Sequence, residues 1–220
     1  MDLIAFTSLA GLPVHYDRFD PSSGFGYGTK GKPFKPRATR KTVDTLEKCF
    51  SDILKQAPDS FGKGEVITSA GAYVEKSGQH GKGQAFDLDG IFWKSQKLVA
   101  IEYPEKPHLY LAVESIIRQH FGTVLNYNYN AAHQDHFHID IGTAVKFEKM
   151  SKSRVEYYQA SMFYIHGFQV GIDGVWGLET EGVSSAVLED LGISGEISVL
   201  GNWLEYLKLT AQRAFELASS

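Results

Sequence analysis

Histidine and carboxylate side chains are concentrated in two short segments of this sequence. Residues 79–87 read QHGKGQAFD, and residues 131–140 read AAHQDHFHID. A catalytic zinc ion takes three protein ligands of these types, imidazole nitrogens and carboxylate oxygens, and keeps a fourth position open. Bound zinc makes hydroxide accessible near neutral pH, and a nearby carboxylate can pass a proton to a leaving amine. The two segments therefore predict a metal-assisted hydrolytic site.

Two strands with alternating side chains can bring these ligands together. Residues 85–89 place Asp87 on the face opposite its apolar neighbours, and residues 136–141 place His136 and His138 on one face. If the two strands are adjacent, Asp87 and His138 converge on one ion. His80 lies in a glycine-containing loop that can fold back to supply a third ligand. The alternative is a hydrogen-bonded cluster without a metal, but such a polar face is costly to bury.

The remaining elements follow from apolar spacing and local signals. Residues 66–68 form a short predicted strand. Thr42 is the predicted N-cap of the first helix. Helical periodicity predicts helices over residues 41–56, 107–121, 155–167, 183–191 and 199–217.

Composition excludes several classes of protein. The chain has 220 residues, with 22 Lys and Arg against 26 Asp and Glu, so the net charge of −4 gives no reason to expect a nucleic-acid partner. Its one cysteine, Cys49, excludes an intramolecular disulfide and a zinc site with several thiolate ligands. No apolar run is long enough to span a membrane. The N-terminal residues lack a basic segment, so we expect no ordinary signal peptide.

The chain is expected to form two units. Residues 146–154, KFEKMSKSR, are polar and rich in lysine, which favours a linker. The predicted fold class is α+β: a small antiparallel sheet flanked by helices carries a zinc site, and a small all-α helical module follows. We place a zinc peptidase-like catalytic domain at residues 1–150 and a helical, peptidoglycan-binding-like module at residues 151–220.

The ligand segments resemble a known superfamily of zinc peptidases. His80 and Asp87 match its H-x6-D motif, and residues 136–138 match its H-x-H motif. This superfamily includes lysostaphin, the D-Ala-D-Ala metallopeptidases and the hedgehog signalling domain. The similarity, over roughly residues 35–145, is closest to the extensin-like carboxy-terminal domain family, through residues 121–125, 131–133 and 135–140. The resemblance implies that His80, Asp87 and His138 bind zinc, that Asp135 is the general base, and that His136 stabilises the transition state or shuttles protons.

The substrate side of the site departs from this pattern. Relatives often carry an Arg shortly after the strand that precedes H-x6-D, where it can pair with a substrate carboxylate. Residues 68–73 contain none, so bidentate carboxylate binding is not expected there. This departure favours an endopeptidase over a carboxypeptidase. Ser69, Gln84 and His133 are the candidate substrate-binding residues.

The C-terminal part carries a second resemblance. Residues 172–180, IDGVWGLET, resemble the D-G-x-W/F-G-x-x-T signature of the small three-helix peptidoglycan-binding domain. Asp173 and Gly174 form a turn, and Trp176 supplies a large apolar anchor. Asp173 and Trp176 are therefore the candidate wall-binding residues. The alternative is a structural turn in a helical extension without a ligand.

These patterns together predict a zinc-dependent peptidoglycan hydrolase that cleaves an amide bond in a murein peptide stem or crossbridge. Without a signal peptide, it would be made in the cytoplasm and act at the target cell wall as a phage endolysin or as a secreted antibacterial effector, which would need an immunity protein as partner. We expect a monomer. The alternatives are a non-catalytic module that binds the wall or a partner and keeps a structural metal, and a metallohydrolase acting on another amide.

Overall fold

The computed structural model describes residues 2–18 and 26–220 as a mixed α+β structure, which confirms the predicted fold class. Within these residues, five α-helices follow the chain: α1 (Arg40–Gln56), α2 (Pro107–His120), α3 (Lys152–Tyr164), α4 (Leu178–Asp190) and α5 (Leu200–Ser219). The strands are β1 (Leu3–Ala5), β2 (Ser8–Leu9), β3 (Leu12–Tyr16), β4 (Lys32–Pro33), β5 (Arg37–Thr39), β6 (Gly64–Gly71), β7 (Ala85–Trp93), β8 (Lys97–Val99), β9 (Thr123–Leu125) and β10 (Phe137–Asp140).

The main sheet is larger than predicted and is not wholly antiparallel. Its eight strands have the order β2-β3-β6-β7-β10-β9, with β4 paired to β3 and β8 paired to β7. Strands β3 and β6 run parallel, whereas the other pairs of this sheet are antiparallel. β1 and β5 form a separate two-stranded antiparallel sheet. The N-terminal strands therefore extend the sheet beyond the small antiparallel sheet that the sequence predicted.

The first helix begins earlier than its predicted N-cap. Thr39 caps α1, because its hydroxyl accepts a hydrogen bond from the backbone N–H of Thr42. The prediction of Thr42 as the cap is therefore wrong. The hydroxyl of Thr42 instead donates to the carbonyl oxygen of Gly83 at 2.9 Å, which ties α1 to the loop that carries His80.

Helices α1 and α2 cover one face of the sheet and leave the opposite face to the polar side chains. Phe86 on β7 is fully buried and packs edge-to-face on Phe50 of α1, with ring centroids 6.2 Å apart. Phe137 on β10 stacks on Tyr110 of α2 at 4.2 Å. Because successive side chains of a strand point to opposite faces, Asp87 and His138 face away from these helices.

A buried ion pair joins α2 to the chain beyond residue 150. Arg118 and Glu114 on α2 lie 2.7 Å apart and are almost completely buried. The same guanidinium donates to the backbone carbonyl oxygens of Val124 and Ser153. Its charge is thus satisfied by α2, β9 and α3 together, which fixes these three elements relative to one another.

The apolar core continues across the predicted domain boundary. Trp203 of α5 packs edge-to-face on Tyr157 of α3, and Phe215 of α5 packs on Phe61. Within the segment predicted as a linker, Phe147 and Arg154 are buried, with exposed fractions of 3% and 7%. One hydrophobic cluster includes residues from both predicted units. The division into two units at residue 150 stays a prediction, and the apolar packing is continuous across it.

Among the described helices, none combines the length and the apolar character that a membrane span requires.

Candidate metal centre

Three side-chain atoms form a compact triangle on the polar face of the sheet. Nε2 of His80 lies 3.1 Å from Oδ1 of Asp87 and 3.1 Å from Nδ1 of His138, and the last two atoms are 3.0 Å apart. Ligand atoms about 2.0–2.1 Å from a tetrahedral zinc ion are separated by about 3.3 Å. The triangle therefore matches three corners of a tetrahedral metal site. These three residues form the group that could hold a metal ion among the described residues.

The strand register brings the two strand ligands into contact. β10 and β7 are antiparallel neighbours in which His138 lies directly opposite Asp87. Residues opposite each other on one face have β-carbons about 4.5–5.5 Å apart, close enough for two short side chains to share an ion. The pairing therefore confirms that the two strands are adjacent and that Asp87 and His138 lie together, and their binding of one ion stays a prediction.

The third ligand depends on a tight loop. His80 begins a short 3-10 turn, His80–Lys82, which ends at Gly83 in the left-handed backbone conformation with φ +62°. A β-carbon on Gly81 would collide with the carbonyl oxygen of Lys76. Glycine at these two positions lets the loop fold back, as predicted, so that the buried His80 ring meets the strands.

The partners of the two imidazoles leave the correct nitrogens free. Nδ1 of His80 donates to the backbone carbonyl oxygen of Ala72, so that Nε2 has a lone pair for a metal. Nε2 of His138 lies 3.3 Å from Oδ2 of Asp140 and donates to it, which leaves Nδ1 free. Metal-binding histidines commonly donate their second N–H in this way, and such contacts raise ligand basicity. The donor set and its orientation therefore fit a divalent metal ion.

Without a bound cation, the cluster is a strongly coupled arrangement of charges. Burial opposes ionisation of Asp87, but hydrogen bonds with His138 and His80 hold its pKa well below the usual range. Burial also disfavours the charged form of His138, but Asp140 and Asp87 outweigh this effect and raise its pKa to about 9. In its charged form the His138 ring also carries a proton on Nδ1, which a bound metal would displace, so metal affinity is expected to rise with pH.

A second pair of candidate residues lies beside the triangle. Nε2 of His136 is 3.6 Å from Oδ1 of Asp87, and Nδ1 of His136 is 2.6 Å from Oδ1 of Asp135. The other carboxylate oxygen of Asp135 accepts a hydrogen bond from the Tyr27 hydroxyl at 2.6 Å. Burial alone would raise the pKa of Asp135, but Tyr27 and His136 lower it below the ordinary value. Asp135 is therefore held ionised behind the His136 ring.

An arginine from the N-terminal part of the chain also reaches this face. Nε and one terminal nitrogen of Arg18 donate to the two carboxylate oxygens of Asp89, at 3.2 and 2.9 Å. Burial raises the pKa of Asp89 to about 7 despite this bidentate contact. The other terminal nitrogen of Arg18 lies 3.4 Å from Oδ2 of Asp135. The guanidinium is thus shared between two carboxylates of the protein.

A cleft of about 530 Å³ opens onto the triangle. His133, a candidate substrate-binding residue, lines it, and its ring centroid is 5.2 Å from that of His136. Burial lowers the pKa of His133 to about 4, with help from the neighbouring His136, so its ring is neutral at pH 7. The cleft is lined by Arg18, residues 76–80, Asp87, Leu125, Ala132, His133, His136 and His138.

The structure does not bring the other two candidate substrate-binding residues into the cleft. Ser69 on β6 is fully buried, and its hydroxyl accepts a hydrogen bond from the backbone N–H of Gly71. Gln84 is half-buried just before β7, outside the cleft wall. Because the Ser69 side chain is fully buried, it has no exposed surface that a substrate could contact directly.

The two candidate wall-binding residues serve the local fold. The carboxylate of Asp173 accepts hydrogen bonds from the Val175 backbone N–H and from the Gln159 amide, both at 2.9 Å. Trp176 is half-buried and stacks on Tyr158 with ring centroids 6.0 Å apart. These contacts explain why the turn needs both residue types, and they leave wall binding as a prediction.

Sequence reasoning did not find Tyr27 or Arg18. Both lie outside the two histidine-rich segments. Arg18 follows β3, which pairs with the distant strand β6, and Tyr27 packs on residues of β6, β7 and β8. The sequence signal that could have indicated them is weak. Arg18 stands two positions after a short alternating segment, residues 12–16, and aromatic and glycine residues follow it.

Comparison with known families finds a match over the middle of the chain. The model of a family described as extensin-like protein C-terminus matches residues 65–151, which confirms the extensin-like resemblance over that region. The matched region holds His80, Asp87 and His138, and also Asp135 and His136. It leaves strands β1 to β5 and helices α1, α3, α4 and α5 outside. No curated protein matches the chain, and no solved structure matches it.

Proposed function

We propose that this protein is a zinc-dependent hydrolase that cleaves amide bonds in the peptides of murein. The observation that carries the proposal is the triangle of His80, Asp87 and His138, with both imidazoles oriented by outer partners and with an accessible cleft on one side. Structural zinc sites are closed by four protein ligands, whereas hydrolytic sites keep one position open. Three protein ligands facing a cleft therefore favour a hydrolytic role.

A zinc ion held by these ligands would polarise the amide carbonyl and make water nucleophilic at neutral pH. His136 is the residue whose free nitrogen, Nε2, faces the same place, because its Nδ1 is engaged by Asp135. An imidazole in this position can accept the proton of the attacking water and return it to the leaving amine. The oxygen of the water ends on the carbonyl carbon, and the carbon–nitrogen bond breaks.

The resemblance makes Asp135 the general base and gives His136 the role of stabilising the transition state or shuttling protons. The contacts favour His136 as the residue that transfers the proton. Both carboxylate oxygens of Asp135 are already engaged, one by His136 and one by Tyr27. Asp135 is also absent from the described lining of the cleft, whereas His136 is part of it. We therefore place proton transfer at His136, with Asp135 acting through it.

Murein is proposed as the substrate because the H-x6-D and H-x-H segments resemble those of a zinc peptidase superfamily that includes lysostaphin, and residues 172–180 resemble the signature of a peptidoglycan-binding domain. Arg18 does not supply a receptor for a terminal carboxylate, since Asp89 and Asp135 already share its guanidinium. This supports cleavage of an internal amide rather than release of a terminal residue. Delivery as an endolysin or an effector, and any immunity partner, stay predictions.

The test begins with zinc content, measured on purified protein by elemental analysis. The protein is then incubated with purified murein, with and without a chelator, and the products are identified by mass spectrometry. We expect about one zinc per chain, chelator-sensitive release of muropeptides, and loss of both in His138→Ala. The matched control is His108→Ala, because His108 lies on α2, outside the cleft lining.

The outcomes separate the alternatives. Bound zinc without released muropeptides would leave a non-catalytic wall-binding or partner-binding module with a structural metal. Cleavage of free peptides but not of murein would indicate a metallohydrolase for another amide. Terminal D-alanine as the product would identify a carboxypeptidase.

A further inference from the structure

A chain of short contacts runs from the N-terminal part of the protein to the metal centre. The Tyr27 hydroxyl donates to Oδ2 of Asp135 at 2.6 Å, and Oδ1 of Asp135 lies 2.6 Å from Nδ1 of His136. Nε2 of His136 then faces Asp87, one of the metal ligands, at 3.6 Å. Tyr27 is thus two contacts away from the nitrogen that faces the cleft.

Arg18 acts on the same carboxylate from another side. One terminal nitrogen is 3.4 Å from Oδ2 of Asp135, and Nε and the other terminal nitrogen donate to the buried Asp89. The planar guanidinium cannot follow a moving carboxylate while it keeps a bidentate contact with a rigid one. Arg18 therefore confines Asp135 to one position instead of adapting to it.

Packing and backbone contacts hold Tyr27 itself. Its ring packs against a small apolar cluster of Val66, Phe92 and Val99, which belongs to β6, β7 and β8. The backbone N–H of the next residue, Gly28, donates to the carboxylate of Asp17, directly after β3. Burial and the contact with Asp135 raise the pKa of the Tyr27 phenol to about 12, so it remains a donor at neutral pH.

From this arrangement we propose that Tyr27 and Arg18 are positioning residues for His136. They hold Oδ2 of Asp135. The other oxygen, Oδ1, in turn fixes the His136 ring with its proton on Nδ1 and its lone pair on Nε2. The region matched by the extensin-like family, residues 65–151, contains Asp135 and His136 but neither residue that holds them. In this chain the N-terminal segment therefore completes the site.

This inference rests on the proposed function only for its effect on turnover. The structural part concerns the hydrogen bond between Asp135 and His136, which is observable without substrate. In zinc-loaded, nitrogen-15-labelled protein, the Nδ1–H proton of His136 gives an imidazole resonance, identified by its loss in His136→Gln. A proton held in such a bond exchanges slowly with water.

The variants are Tyr27→Phe, which removes one hydroxyl and keeps the ring packing, and Asp135→Asn, which keeps the shape of the side chain. The matched control is Tyr16→Phe on β3, because the Tyr16 ring packs on Phe34 and not on the metal centre. Zinc affinity and the unfolding midpoint are measured for each variant, so that loss of fold or of metal is recognised.

We expect Tyr27→Phe to keep zinc affinity within about threefold, to shift the His136 resonance and to speed its exchange. We expect its kcat to fall about tenfold with little change in KM, whereas Tyr16→Phe behaves like the unmodified protein. An unchanged His136 resonance in Tyr27→Phe, with a changed one in Asp135→Asn, would overturn the proposal. A second outcome separates the two proposals. If the His136 resonance responds as expected but neither the unmodified protein nor any variant cleaves murein, the positioning role stands and the proposed function fails.

Discussion

The carboxylate of Asp140 selects the tautomer of His138 that can bind a metal, so its replacement by an amide tests the geometry of the centre directly. Oδ2 of Asp140 accepts the His138 Nε2–H at 3.3 Å, and Oδ1 accepts the backbone N–H of Gly142 at 2.7 Å. In Asp140→Asn, one oxygen remains for Gly142, and the new NH2 group faces the Nε2–H. Two donors then oppose each other, and the imidazole gains by moving its proton to Nδ1, where the metal must bind.

The expected magnitude follows from this lost contact. A hydrogen bond to a charged group contributes about 1.5–3 kcal/mol to stability. Loss of a contact that orients a metal-binding histidine weakens metal affinity about 10–100-fold. At about 1.4 kcal/mol per factor of ten, the second range is about 1.4–2.8 kcal/mol, so the two estimates agree.

The assay is competition for zinc with a chromophoric chelator at pH 7.5 and fixed ionic strength. The control is Asp44→Asn, which removes the same charge from the exposed side of α1, across the sheet from the metal centre. We expect Kd to rise 10–100-fold in Asp140→Asn and to stay within about threefold in Asp44→Asn. Circular dichroism of the metal-free proteins checks that both are folded. A Kd for Asp140→Asn within about threefold of the unmodified protein would refute the tautomer argument.

Two further predictions concern stability. In Arg118→Met, the buried Glu114 loses its cation, so the free energy of unfolding in urea should fall by about 3–5 kcal/mol; adding Glu114→Gln should recover part of this, and a loss below about 1 kcal/mol in the single variant would contradict it. Burial lowers the pKa of His166 to about 4, below its value of about 6.5 in the unfolded chain. Between these two pH values the unfolded chain binds a proton that the folded protein does not, so the free energy of unfolding should fall by at most about 3 kcal/mol as the pH drops from 6.5 to 4. His166→Gln should reduce this pH dependence, measured by urea unfolding at pH 7.5 and 4.0, and an equal dependence in both proteins would show that His166 is not its source.

The grouping of His80, Asp87 and His138 was predictable because the information is local. Alternation along β7 and β10 alone decides that Asp87 and His138 point away from the apolar core. The glycines that follow His80 in the sequence likewise predict a tight loop from neighbouring residues alone. What alternation could not supply is the register, since a shift by one residue would send His138 to the opposite face.

The parts that sequence reasoning missed depend on contacts between distant residues. Strand β3 is five residues long and pairs in parallel with β6, more than 50 positions away. The position of Arg18 is decided by Asp89, a buried partner on β7, and not by any pattern around Arg18 itself. Composition predicted a linker around Arg154, but this side chain is buried and its guanidinium donates hydrogen bonds to backbone carbonyl oxygens, including that of Gly122, instead of projecting into solvent.

The absence of arginine after β6 favoured an endopeptidase, and the structure changes the basis of that argument. Arg18 does enter the cleft wall, so the site does not lack a guanidinium. Its donors, however, already face Asp89 and Asp135, and a substrate carboxylate would be a third anion on one cation. The other cation of the described wall, Lys76, is exposed and offers a point charge without a bidentate fork. The preference for an internal amide therefore rests on Arg18, whose guanidinium is already paired with Asp89 and Asp135, and no longer on the absence of an arginine after β6.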